Sequence, residues 1–483
     1  MVGPAGLAII IVSLGAGVGL LVSRALHWRA AGPIVLLVSA PLIPNVDLVG
    51  PLSADDILPI VGLALLVPAI SRPRLTRSRL AQVALLSLAV ATVARIASTF
   101  ANAPDLENVS ATFAVATLRP AFLAAAAIGV ALVRPPERRG QLVAKSLAML
   151  GAFEASLSLV MYAIPISGLT NRPARLFETL AGCDHRVTGT LGLSPNHIGA
   201  IFVLTIPMTV GLAIDAEGRR KWAWVAAAAL QGAAVVLTFT RSSIGLALVA
   251  SLVLLAYHGR ARLLAMLAAG TFAVLFTVTS VACPPSTVSP GGGTGGPSAP
   301  TPMPVETLEP DTGGPTIVDR FTDPSDRAAL WYTAARMTLD YPIAGVGIGR
   351  MIEVMRSDPD RYVDTPFGKS TSSAHNTILL AGAETGAVGA VSMAVLNAMI
   401  AIAALRLLWP RSRRPAIHTA AALAMIAFLA QGMLNNLFTV PATGTLLAVV
   451  AGAFAAFAIP PRGERPPEGP VAPGPTVPPS PPG

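Results

Sequence analysis

The chain has 483 residues, of which 53% are hydrophobic and only 12% charged, with a net charge of +9. A soluble globular domain carries about 25% charged residues, so a soluble fold is excluded and a polytopic membrane protein is implied. The basic balance does not indicate nucleic acid, because about 21 of the 34 Lys and Arg sit in short segments between apolar runs, at 24–29, 72–79, 134–145, 219–221, 260–262, 406–414 and 462–465.

A membrane-spanning helix needs about 20 apolar residues. Roughly 13 stretches are candidates on that criterion, near 4–23, 32–49, 57–71, 80–99, 113–133, 143–165, 196–214, 222–239, 242–257, 263–282, 376–405, 416–437 and 442–459. The seven basic segments alternate with the parity of these spans, which makes them cytoplasmic. The first stretch has no basic residue before it and is followed by Arg24 and Arg29. It reads as a retained span with its N-terminus outside, not as a signal peptide. The expected fold is therefore all-α: a polytopic integral membrane protein of about 12–13 transmembrane helices over residues 1–459.

Asp55 and Asp56 open the third span on the outer side, and Arg95 and Arg119 lie within spans. The first sizeable outer segment, about 166–195, holds Cys183 and Arg186 and runs into RVTGTLGLSPNHIGA (186–200). Pro195 and Asn196 start the seventh span there, and Gly192 and Gly199 permit close backbone approach. Cys183 and Cys283 both fall outside, where disulfides persist; a bridge and two unpaired thiols are both compatible with the sequence.

TFTRSS is a short polar break between the apolar runs 222–239 and 244–257. The flanking loops GRRK and HGRAR are basic, so Arg241 lies at the extracytoplasmic boundary. A charge within the membrane costs about 2.5–3.5 kcal/mol on insertion scales and is kept for a partner or a task. The task indicated is holding an anionic, lipid-linked substrate.

The large extracytoplasmic loop is 284–375. Its Gly/Pro-rich part, 284–316, reads as disordered, whereas 323–341 reads as an amphipathic helix. Asp323 is placed to cap it, Pro324 suits its first position and Asp326 the capping box. Leu330, Ala334, Met337 and Tyr341 recur at helical spacing. Arg327 falls on that apolar side, aimed at the membrane or the bundle. GVGIG (345–349) ends the helix; Arg350 replaces the third glycine of a dinucleotide fingerprint, so a structural turn is expected.

His375 and Asn376 open the eleventh span. A histidine there can exchange a proton near neutral pH, and the helix N-terminal amides favour phosphate. Glu384 lies nine residues into the span, where a structural carboxylate paired with an interior arginine is expected. Residues 460–483 read as a disordered, Pro-rich cytoplasmic tail.

Four motifs in order, RxTGTxGxxPN, TRSSxG, DRxxLWxxAxxMxxDxPxxGVGIG and HNxxLxxxAExG, span about 186–390. The pattern resembles the O-antigen ligase and O-antigen polymerase superfamily. That resemblance implies a metal-independent, inverting glycosyltransferase without a cofactor. It would transfer a glycan from undecaprenyl diphosphate to a glycan or lipid acceptor on the outer face of the cytoplasmic membrane, in cell-surface polysaccharide biosynthesis. The implied partners are the lipid-linked donor, the acceptor and membrane lipids, with no nucleic acid. Arg241 and Arg327 fall on the family's diphosphate-binding arginines and His375 on its catalytic histidine, with Arg186 and Asn376 as further positioning candidates. Two other readings stay open. One is a transporter or flippase of lipid-linked saccharide using Arg95, Arg119 and Glu384. The other is a polyprenyl-phosphate-sugar glycosyltransferase using Asp55 and Asp56. The cytoplasmic loops are too short for a nucleotide-sugar domain.

Overall fold

The computed structural model describes residues 18–39, 47–49, 52–69, 79–102, 122–133, 135–163, 177–180, 183–187, 195–238, 240–260, 325–370, 372–408, 415–437 and 441–455. The expected span 263–282, the segments 284–316 and 460–483, Arg119 and Cys283 lie outside them.

The protein is an all-α membrane protein. Its helices are α1 (Ala31–Ser39), α2 (Ala54–Leu66), α3 (Arg79–Asn102), α4 (Pro136–Ala163), α5 (Pro195–Asp215), α6 (Gly218–Leu237), α7 (Arg241–Tyr257), α8 (Ser325–Asp340), α9 (Met351–Ser357), α10 (Pro359–Tyr362), α11 (Thr377–Leu408), α12 (Ala416–Gly432) and α13 (Pro441–Ala455). Four of these, α3, α4, α5 and α11, are long and apolar enough to cross a membrane. Phe122–Leu132, α7, α12 and part of α13 form shorter apolar helices. The helices fall where the apolar runs place them, except in the run 32–49. There α1 stops at Ser39, and β1 (Asp47–Val49) pairs antiparallel with β2 (Leu52–Ser53). Asp47, at the outer end of this run, lies in a strand and not in a helix. Two further hairpins join β3 (Phe177–Leu180) to β4 (Cys183–Val187) and β5 (Asp364–Thr365) to β6 (Gly368–Lys369).

α5 is the central post. Its sequence, PNHIGAIFVLTIPMTVGLAID, is apolar on every side, as a helix surrounded by others requires; residues Ile198 to Ala213 are buried. It packs against α4, α6, α7 and α12. Gly211 allows the close approach of α12, since a Cβ there would lie 2.6 Å from the Ala420 Cβ. Gln231 of α6 ties three helices: it accepts from Thr205 Oγ1 (2.9 Å) and donates to Thr209 Oγ1 (3.0 Å) and to the Ala148 carbonyl (3.2 Å). Asp215 accepts from the Ala416 and Ile417 amides at 2.8 and 3.0 Å and so caps α12. Arg139 belongs to a segment read from sequence as setting topology, yet it is buried and donates to the Ala453 and Val133 carbonyls. It therefore also joins α4 to α13 and to the end of the helix that starts at Phe122.

α11 is two helices joined at Gly386, whose φ is +77° and ψ −174°. The part beyond the break, 387–408, rises about 33 Å at about 1.5 Å per residue, enough to cross a hydrocarbon core of about 30 Å. Glu384 therefore lies on the short first half, not deep within a single span as the uninterrupted apolar run had implied. The run hides the break because glycine is common in membrane helices.

The loop after α8 fills the break. The Pro342 carbonyl accepts from the Ala387 amide (2.8 Å), and the Val346 and Gly347 amides donate to the Ala383 and Glu384 carbonyls (2.8 and 3.2 Å). The Glu384 carboxylate accepts from the Gly349 amide at 2.9 Å. GVGIG is thus a turn, with Gly345, Gly347 and Gly349 all at positive φ. α3 closes the junction: Ser98 donates to the Glu384 carbonyl (2.6 Å), Asn102 to the Gly345 carbonyl (3.3 Å), and Arg350 to the Asn102 carbonyl (2.8 Å). The Arg95 charge acts on Glu384, which supports the expected pairing with an interior arginine.

Alanine at 386 would have to adopt positive φ and place its Cβ 2.5 Å from the Pro342 carbonyl oxygen. Gly386→Ala should destabilise the protein by about 2 kcal/mol or more, read as a lowered unfolding temperature in detergent. An unchanged transition would show that the break is not fixed by this contact.

Candidate active site

Three residues singled out in the sequence come from three separate elements and meet at one end of the bundle. Arg241 is the first residue of α7, Arg327 lies in the first turn of α8, and His375 precedes α11. The Arg327 charge acts on both Arg241 and His375. His375 in turn interacts with His197 at the start of α5.

Packing of the helix ends dictates this meeting. Gly199 of α5 faces Ser243 of α7, and a Cβ at Gly199 would lie 2.4 Å from the Ser243 Oγ. Thr240, just before Arg241, has an extended backbone (φ −89°, ψ 93°) and donates from Oγ1 to Asn196 Oδ1 at 3.2 Å. Its amide donates to Thr238 Oγ1 at 3.1 Å, closing a hydroxyl-stabilised turn. Gln431 at the end of α12 donates to Ser243 Oγ at 2.8 Å. α7 is thus held on two sides, and Arg241 is left exposed at its tip.

His375 is held by its neighbours on both sides. Asn436 Nδ2 donates to Ser373 Oγ at 2.6 Å. Asn376 Nδ2 donates to the Met433 carbonyl at 3.0 Å, and Thr377 Oγ1 to the Gly432 and Asn435 carbonyls at 2.9 and 3.2 Å. Between these anchors His375 takes a left-handed backbone, φ +45°. A non-glycine residue there is uncommon, and such strain persists only where the surroundings impose it.

Asn376 has a different task from the one read in the sequence. Its Oδ1 accepts from the Ile378 and Leu379 amides at 3.0 and 3.1 Å, which is N-capping. Those amides were expected to favour a phosphate; they are already satisfied by the cap. In this arrangement Asn376 anchors His375 and does not offer its polar atoms to a ligand.

Arg327 is exposed, and not on the packed side of its helix. The packed side is formed by Ala334 and Met337, which join Val346, Met351, Met355, Tyr362, Leu380 and Ala383 in a small second core. Thr333 Oγ1 donates to the Tyr362 carbonyl at 2.8 Å, and Asp340 accepts from Arg361 (2.6 and 3.0 Å) and from the Tyr362 hydroxyl (2.8 Å). The Arg361 hydrogen bonds hold the Asp340 carboxyl below the usual carboxylate range, and burial pushes the Tyr362 hydroxyl up. These hydrogen bonds tie α8 to α10, and the shared core seats it against α11, so Arg327 projects from a braced support.

The Arg241 and Arg327 charges repel each other. Partial burial lowers the Arg327 pKa, though an arginine remains protonated at neutral pH. Burial, and then the Arg327 charge, lower the pKa of His375, so its imidazole is neutral at pH 7. Several buried polar atoms at this end also have no hydrogen-bond partner among the described residues: Ser242 Oγ, Trp331 Nε1 and Ser370 Oγ. Two guanidinium groups, a neutral imidazole and unfilled hydrogen-bonding groups suit an anion with several oxygens better than a second cation.

The other candidates lie elsewhere. Arg186 is in β4, opposite Glu178 of β3. Asp55 and Asp56 are in the first turn of α2, which packs mainly on α1 and α13. Cys183 is in β4, and Cys283 lies outside the described residues. The sequence did not single out the turn 433–436 or His197; the only signals were the adjacent Asn435 and Asn436 and a histidine at a helix start.

Residues 226–394 match the family model described as O-antigen ligase. The match takes in Arg241, Arg327, His375 and Glu384 but begins after Arg186 and His197, so it starts later than the motif resemblance. No curated protein matches the chain.

The lowered His375 pKa has a direct consequence. Carbethoxylation, which attacks neutral imidazole, should reach half its extent on His375 below the ordinary value of about 6.5. In Arg327→Gln, with the repelling charge gone, that midpoint should move to higher pH, as followed by mass spectrometry across a pH series. An unmoved midpoint would mean that Arg327 does not act on His375.

Proposed function

We propose that this membrane protein, which is similar over residues 226–394 to the O-antigen ligase family, transfers glycans from undecaprenyl diphosphate on the extracytoplasmic face of the cytoplasmic membrane. The observation that carries this reading is the meeting of Arg241, Arg327 and His375 from three distant parts of the sequence. The basic loops that alternate with the spans support the assignment of that end of the bundle to the outside.

Arg241 and Arg327 bind the diphosphate. Guanidinium groups grip phosphate oxygens bidentately and do not lose their charge on partial burial. The acceptor hydroxyl oxygen attacks the anomeric carbon from the face opposite the leaving group. The bond from that carbon to the diphosphate oxygen breaks, the configuration inverts, and undecaprenyl diphosphate departs. The negative charge that grows on the departing oxygen is stabilised by the two arginines, which are oriented before reaction begins. They fill the role of a divalent cation, so the transfer proceeds in the presence of chelator. His375 takes the proton of the attacking hydroxyl; as a neutral imidazole at pH 7 it has a lone pair ready to do so. Arg186 remains a candidate for positioning the donor on the same side.

The arrangement favours an enzyme over a transporter. Arg95 and Glu384, two of the three interior charges a transporter would use, are committed to the junction at the α11 break; the third, Arg119, lies outside the described residues. The carboxylates of a polyprenyl-phosphate-sugar enzyme, Asp55 and Asp56, belong to a helix that packs away from the three site residues.

Purified protein in detergent with chelator, given only an undecaprenyl-diphosphate-linked repeat unit, should either build a product ladder, as a polymerase, or transfer once a separate acceptor is added, as a ligase. Arg241→Ala or Arg327→Ala should abolish either product, by about 100-fold or more, without loss of membrane insertion. Normal product from either variant would contradict the assignment, as would loss of activity in an Asp55→Asn, Asp56→Asn double variant.

A further inference from the structure

The extramembrane unit carries an apolar tip that its own core does not take up. Leu339 in the last turn of α8 and Ile343 in the turn after it are 79% and 87% exposed, and Tyr341 between them is 44% exposed. Met337 and Val346, on either side of the tip, are buried in the core shared with α11. No charged residue falls between Asp340 and Arg350. Both of those charges are turned to other partners: Asp340 accepts from Arg361 and the Tyr362 hydroxyl, and Arg350 donates to Glu353 and the Asn102 carbonyl. Single exposed aliphatic side chains on a water-facing surface would mean little; the height of these gives them meaning. The Pro342 carbonyl accepts from the Ala387 amide at 2.8 Å, and a Cβ on Gly386 would lie 2.7 Å from the Ile343 carbonyl oxygen. Ile343 is therefore level with the start of the half of α11 that crosses the membrane. Along that half Val388 and Val391 are 48% and 62% exposed, the outward apolar face of a helix that borders lipid.

We propose that residues 339–343 are an interfacial anchor, with Leu339 and Ile343 inserted into the lipid leaflet beside the start of 387–408 and Tyr341 at its headgroup level. Three observations favour lipid as the occupant. The tip adjoins the lipid-bordering face of α11 without a gap in the chain contacts. It carries no charge to be desolvated, since Asp340 and Arg350 are paired away from it. Its one polar group is a tyrosine hydroxyl on an apolar ring, the kind of side chain that gathers where hydrocarbon meets water. The loop 342–349 then faces two ways, with its backbone filling the α11 break and its side chains entering the bilayer. Anchors of this kind set the tilt and rotation of the elements they terminate. Here the anchored element is α8, so the tip fixes how the unit that carries Arg327 sits on the membrane.

Depth measurement by spin label tests this without any assay of transfer, so the anchor and the proposed function stand or fall separately. Ile343→Cys, Val391→Cys and Ser357→Cys would each carry a nitroxide in the full-length protein, reconstituted into phosphatidylethanolamine and phosphatidylglycerol vesicles. Val391 marks the lipid face of α11, and Ser357, exposed at the end of α9, marks the water-facing surface of the unit. The signal of the labelled parent chain, whose cysteines are Cys183 and Cys283, is subtracted. Collision of each label with oxygen, which concentrates in lipid, is compared with collision with a water-soluble nickel chelate. The expected result is a label at 343 that meets oxygen in preference to nickel, as at 391, and lies within about 5–10 Å of the headgroup boundary. The label at 357 should show the reverse preference. A label at 343 that behaves like the one at 357 would overturn the anchor. So would a label at 343 screened from both reagents, which would mean that protein covers the tip, whether a second copy or another segment of this chain. Should Ile343→Cys fail to fold, Leu339→Cys makes the same comparison.

Discussion

A helix that breaks beside a membrane leaves amides and carbonyls that must find partners, because lipid offers none. In this protein the break at Gly386 is filled by the backbone of the loop 342–349, and much of the site's geometry follows from that exchange. The loop can enter only because three of its glycines take positive φ, where side chains would be strained. Once seated, it fixes the end of α8, and the small core shared by α8 and α11 fixes the start. Arg327 and His375 are then carried by one braced unit, and that unit is locked to α3 through Ser98, Asn102 and Arg350.

The third site residue is held by a different part of the bundle. Arg241 is positioned by α5 and α12, which grip the start of α7 through Asn196, Gly199 and Gln431. The site is therefore a junction between a braced extramembrane unit and the central helices. The 433–436 turn is the link, since it anchors Ser373, Asn376 and Thr377 directly after α12. Two like charges held near each other are a cost that the fold alone does not require. Under the proposed function, a dianionic group bound between the two arginines would relieve it, turning their repulsion into binding free energy for the donor.

Much of this was legible in the sequence because apolar length is a strong signal. The helices described follow the apolar runs closely, and Arg241, Arg327 and His375 stood out as charges and a histidine that topology does not explain. Depth was less legible. Glu384 reads as intramembrane when the run from 376 is taken as one span, because Gly386 does not look like a stop in a glycine-rich apolar helix. Asn376 was misread because a helix N-terminus invites an anion in the same way that it invites a capping asparagine; only the hydrogen bonds to Ile378 and Leu379 distinguish the two. Arg327 shares a helical spacing with Leu330 and Trp331 but projects away from the packed face, because the partner of α8 is set by α11 and not by its own periodicity.

The central claim is that Arg241 and Arg327 together form the diphosphate site. Equilibrium binding of undecaprenyl diphosphate, without any sugar, to the purified protein in detergent with chelator tests this independently of acceptor and product. The account predicts saturable binding that weakens with rising salt, falls at least about 10-fold with either Arg241→Gln or Arg327→Gln, and survives His375→Gln. Binding of equal strength in both arginine variants, or binding that requires a divalent cation, would contradict it.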